Sequence, residues 1–100
     1  MKPHVREIYQ RLLNLGAQVP WLAIEALAAT LEEGGSKKYR TNPMKWRSIP
    51  ADSHLESAMR HWHQEGDEPD EATHYAHYIA RSMMAGEQLL KSVEKATVSR

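Results

Sequence analysis

Apolar residues recur at helical spacing near the start of the chain. Val5, Ile8, Tyr9, Leu12 and Leu13 fall at the interval that gathers side chains on one face of an α-helix. Pro3 suits the first turn, where its missing N–H leaves no hydrogen bond unmade, and Gly16 offers a C-terminal stop. After Pro20 the stretch WLAIEALAATLEE is built from strong helix formers, until Gly34 and Gly35 interrupt it. Ser53 and Glu56 have the spacing of a capping box around Leu55, Met59 and Trp62, which predicts a third helix ending near Gly66. Asp70 is placed to cap a fourth, whose apolar stripe runs through Ala72, Ala76, Ile79, Met83 and Leu90. Nothing alternates with period two for long enough to argue a strand.

These segments predict an all-α fold: a small antiparallel four-helix bundle, one domain over 1–100, with one long basic loop between helices 2 and 3 and a fraying tail at 91–100. A unit this small buries little surface, which predicts a homodimer. The 41% apolar fraction is that of a globular chain, and the absence of cysteine excludes disulfides and thiolate zinc sites. No apolar run approaches the roughly 18 residues of a membrane span, and MKPHVREIYQ lacks the apolar core of a signal peptide. The expectation is a cytoplasmic chain without a membrane partner.

Net charge is zero, so the overall field argues for no polyanionic partner. The distribution is uneven. Lys37, Lys38, Arg40, Lys45 and Arg47 carry five positive charges without an acid between them, and Glu65, Asp67, Glu68, Asp70 and Glu71 carry five negative charges without a base. The basic stretch interleaves Tyr39 and Trp46, a pairing that grips phosphate and stacks a flat base. Solvation, or pairing with the acidic turn, accounts for the same charges. A nucleotide fits this footprint better than nucleic acid, which would need a broad basic face. Phosphate-binding and hydrolase signatures such as GxxxxGK[ST], GxGxxG and GxSxG are absent.

Four of the six histidines lie between residues 61 and 84. On the fourth helix Asp70, His74, His77 and Arg81 share an arc of about 60° at 100° per residue, nearly opposite the apolar stripe. The row is therefore expected to face away from that helix's core. It reads as a solvated face, as the polar wall of a cleft or interface, or as metal ligands. Two imidazoles at i, i+3 are one or two short of what zinc requires, HExxH is absent, and His61 and His63 diverge on their helix. Carboxylates at Glu32, Glu33, Glu56, Asp70 and Glu71 suit either Mg2+, which takes oxygen ligands, or plain helix capping and dipole roles.

The order LEEGGSKKY, KWR, SAMRHW, an acidic turn and HYAHYIARSMM resembles the phage dATP/dGTP diphosphohydrolase N-terminal type domain, itself similar in outline to the MazG-like all-α nucleotide pyrophosphohydrolases. The resemblance covers about residues 20–90. It implies a metal-dependent pyrophosphohydrolase of dATP or dGTP, in a host cell's cytoplasm. Glu33 and Asp70 would hold Mg2+ or Mn2+. Lys37, Lys38, Tyr39, Trp46 and Arg60 would bind the purine deoxynucleoside triphosphate. His61, His74 and His77 would serve catalysis. The chain departs from the pattern in lacking a glycine-rich segment before the second helix and a recognisable ExxE and ExxD pair. The alternative is a non-catalytic phage protein on the same bundle that sequesters nucleotides or inhibits a host protein by direct binding.

Overall fold

The computed structural model describes residues 3–34, 42–66, 68 and 70–98, with side chains described to residue 95. These residues form four α-helices: α1 (Pro3–Leu15), α2 (Trp21–Glu33), α3 (Ala51–Trp62) and α4 (Glu71–Val98). Short 3-10 turns at Gly16–Gln18 and Lys45–Ser48 precede α2 and α3. No strand occurs among the described residues. The all-α expectation is met.

The 28 residues of α4 span about 42 Å at 1.5 Å per residue, which is the longest dimension of the molecule. α3 and α2 both pack on it. α3 runs antiparallel to α4, since His54 meets Arg81 while His61 meets His74. α1 contacts the 3-10 turn that follows it, and its Val5, Ile8, Tyr9 and Leu13 remain 41–52% exposed.

The helix boundaries have local causes. Gly16 takes a positive φ of 57° and ends α1, a conformation open to glycine without a Cβ clash. Its carbonyl accepts from Val19 N–H at 3.1 Å and from the Trp21 indole at 2.8 Å, which folds α2 back on the turn. α3 begins after Pro50 with no side-chain cap, so Ser53 and Glu56 lie inside the helix and form no capping box. It also stops before Gly66. Gln64 adopts φ 56°, its N–H bonds His61 O at 2.9 Å, and the Glu65 N–H bonds Arg60 O at 3.0 Å. This paired arrangement closes a helix four residues earlier than the glycine suggests. Asp70 caps α4 as expected, its Oδ1 accepting from the Thr73 N–H and hydroxyl, each at 2.7 Å.

The interior reverses one expectation. The histidine row was to face away from the core, yet His74 is 5% exposed and is buried with His54, Ser57, Ala58, Ala80 and Ala85. Among the apolar positions, Met83 is 51% and Leu90 71% exposed. The cause is size. Ser57, Ala58, Ala80 and Ala85 admit close approach of α3 to the polar face of α4, and histidines fill the remaining volume. Ala72 and Ala76 of the apolar stripe line a groove with α2, which, with 13 residues, is less than half as long as α4.

His54, fully buried, anchors this polar seam. One ring nitrogen, Nε2, is 2.8 Å from the Trp46 carbonyl, and the other, Nδ1, is 3.1 Å from Arg81 Nη1. A carbonyl only accepts and a guanidinium only donates, so the network assigns the proton to Nε2. The same carbonyl accepts from Gln88 Nε2 at 3.0 Å, and Arg47 pairs with Glu87 at 3.3 Å. The end of the basic loop is thus tied to the middle of α4. Replacing His54 with Ala removes two hydrogen bonds and leaves a cavity; chemical denaturation is expected to show a loss of about 3 kcal/mol.

Candidate active site

α2 and the first turns of α4 enclose an open groove of about 390 Å³, within the range of small-molecule sites. Its depth comes from alanines: Ala26 and Ala29 on α2 face Ala72 and Ala76 on α4. Most of its lining is apolar, completed by Leu22, and its polar groups are Glu25, Thr30 and Glu33 from α2 and Asp70, Thr73 and His77 from the start of α4. Glu25, Ala29 and Glu33 follow at i, i+4 and i+8, so one helical face presents both carboxylates. The Thr73 hydroxyl, followed by its backbone N–H, holds the Asp70 carboxyl below its ordinary pKa. Asp70 is therefore an anion at neutral pH.

Behind His77 lies a second cluster. His61, on the last turn of α3, stacks edge-on against His77 with ring centroids 4.8 Å apart, and its Nδ1 is 3.3 Å from Nδ1 of His74. His77 Nδ1 is 3.2 Å from Glu68 Oε1 in the connection between the two helices. Burial, then the neighbouring His77, lowers the pKa of His61, against a smaller opposing pull from Glu68.

The site residues expected from the sequence separate into groups. Glu33, Asp70 and His77 share the groove, while His61 and His74 stand together behind it. Lys37, Lys38 and Tyr39 lie outside the described residues. Trp46 packs edge-on against His54 at 6.2 Å beneath the Arg47 guanidinium. Its carbonyl binds Gln88, 18 residues beyond Asp70 and so about 27 Å farther along α4. Arg60 is exposed and 3.7 Å from Glu56. Two residues escaped the sequence reading. Glu25 was legible from its i, i+8 relation to Glu33, whereas Glu68 sits in an irregular turn where spacing carries no directional information.

The lowered pKa of His61 couples its charge to folding. The unfolded chain takes up this proton more readily than the folded one, so stability is retained above the ordinary histidine value and falls as pH drops below it. Denaturation midpoints followed from neutral to mildly acid pH are expected to decline, and His61→Gln to flatten that decline.

No curated protein and no solved structure matches the chain. The family model described as dATP/dGTP diphosphohydrolase, N-terminal, matches residues 7–97. That span begins inside α1 and runs to the end of α4, taking in both walls of the groove and the histidine cluster, and extends beyond the resemblance at 20–90 to include most of the first helix. The chain belongs to the dATP/dGTP diphosphohydrolase N-terminal family.

Proposed function

We propose that the chain is a metal-dependent nucleoside triphosphate diphosphohydrolase that takes a purine deoxynucleoside triphosphate, dATP or dGTP, into the groove between α2 and α4. The observation that carries this reading is the meeting of Glu33, Asp70 and His77, from two helices, on one groove of nucleotide-accommodating size. The family description supplies the substrate class.

The donor set suits a hard divalent ion. Mg2+ binds readily through one or two carboxylates together with substrate phosphates, and Glu33 and Asp70 provide two on the same groove. When bound, such an ion supplies Lewis-acid polarisation of the phosphoryl group. Capping occupies Oδ1 of Asp70, leaving its second oxygen for the cation. His77, its Nδ1–H donated to the Glu68 carboxylate, offers Nε2–H to a phosphate oxygen when its ring carries both protons. Glu25 takes the proton of the water that attacks the α-phosphorus; the bond from that phosphorus to the bridging oxygen breaks, and pyrophosphate leaves. Lys37 and Lys38 offset the triphosphate's charge. The exposed apolar face of α1 is where a second copy would pack in this reading.

Pyrophosphate release from dATP or dGTP in the presence of Mg2+ tests the proposal. Glu33→Gln is expected to reduce release by at least about 100-fold with an unchanged circular dichroism spectrum. Absence of release by the wild-type chain, from any common triphosphate at high protein concentration, contradicts it and favours a non-catalytic nucleotide binder.

A further inference from the structure

The groove uses only one edge of the polar seam. Behind it, three imidazoles and a carboxylate converge where α3 ends and α4 begins. Ligand atoms of His61, Glu68 and His77 all lie within 4.8 Å of one another. We propose that these three residues form a site for a borderline transition-metal ion, Zn2+ or Co2+, distinct from the Glu33 and Asp70 carboxylates.

Three observations support the assignment. The first is distance. A tetrahedral ion with bonds of about 2.0–2.1 Å keeps its ligand atoms about 3.3 Å apart, and His77 Nδ1 already stands 3.2 Å from Glu68 Oε1. The remaining separations, none above 4.8 Å, close by small rotations of the partly exposed His77 and Glu68 side chains.

The second is the support around the ligands. His74, 5% exposed, holds His61 through ring nitrogens 3.3 Å apart. A contact of this kind, outside the coordination sphere, fixes the orientation of a ligating imidazole. His74 is therefore a positioning residue. Its buried ring is difficult to explain as a solubilising group.

The third is the charge balance, which decides the class of ion. Glu68 contributes the single formal negative charge among the three ligands, and the Arg81 guanidinium acts on His61 from the same seam. A hard ion such as Mg2+ or Ca2+, held mainly by charge and oxygen donors, gains little in that field. An ion with intrinsic affinity for imidazole nitrogen gains from two such ligands despite the nearby cation. Three protein ligands also leave a fourth position open, the pattern of zinc sites that bind water or substrate. His77 belongs both to this cluster and to the groove wall, so the site borders the groove. An ion at His77 Nδ1 takes the place of the proton there and leaves the neutral ring's one proton on Nε2, so the ligand role and the phosphate-contacting role are compatible.

Titration of the full chain with Co2+, read from its visible ligand-field absorption, tests the inference independently of hydrolysis. One ion per chain is expected, displaced by Zn2+ and resistant to a large excess of Mg2+. Glu68→Gln and His61→Ala are each expected to weaken Co2+ binding by at least about tenfold, whereas Glu33→Gln leaves it unchanged while lowering pyrophosphate release. If His61→Ala fails to fold, Glu68→Gln, in the connecting turn, decides the matter. Absence of a ligand-field change at one equivalent, displacement by Mg2+, or unchanged affinity in the Glu68 variant overturns the proposal. Loss of hydrolysis in Glu33→Gln with Co2+ binding retained would separate the two sites.

Discussion

The close approach of α3 to the histidine-bearing face of α4 is the constraint from which the rest of the structure follows. Helices usually bury apolar stripes, but here serine and alanine clear the space and His54 and His74 occupy it. A buried polar side chain is tolerated only where its hydrogen bonds are made. His54 meets that condition through Trp46 and Arg81, and no buried side-chain polar atom among the described residues lacks a partner. The consequence is specificity of register. Sliding α3 by one turn along α4 would separate His54 from Arg81 and His61 from His74 together, leaving several desolvated groups unpaired at once.

That register also places the functional groups. The turn closed by Gln64 brings the chain round so that α4 starts beside the end of α3, and Glu68 is carried to His77. The cap made by Asp70 fixes where α4 begins, and thereby which of its residues reach α2. Its first turns do so through Asp70, Ala72, Thr73, Ala76 and His77, which line the groove with α2. The groove and the histidine cluster are accordingly two sides of the same segment, 70–77, with His77 shared between them.

Much of this was legible in the chain itself. Three of the four helices follow from apolar spacing and α2 from a run of strong helix formers, and the starts of α1 and α4 follow from Pro3 and Asp70, whose effects are local. The common arc of His74, His77 and Arg81 was also legible, because helical geometry alone sets it. Its burial was not. Hydrophobic patterning assigns the core to the larger apolar residues and is blind to a seam in which alanines grant access and histidines provide the volume. The convergence of His61 and Glu68 on His77 was hidden for a related reason, since it depends on the path of a turn rather than on any spacing within a helix. The early end of α3 was obscured by Gln64, a residue that rarely adopts a positive φ and costs about 1 kcal/mol there. Pairing with the acidic turn was one reading of the basic stretch, but its described part is drawn instead to Glu87 and Gln88.

The most direct measurement of the central claim is a nitrogen-15 spectrum of the histidine rings in the metal-free protein at neutral pH. A polar seam predicts one slowly exchanging His54 ring proton on Nε2, together with nuclear Overhauser contacts between the His61 and His74 rings. Six rings that all exchange rapidly with water and show no mutual contacts would mean that the histidine face of α4 is solvated, and the account of both core and site would fail.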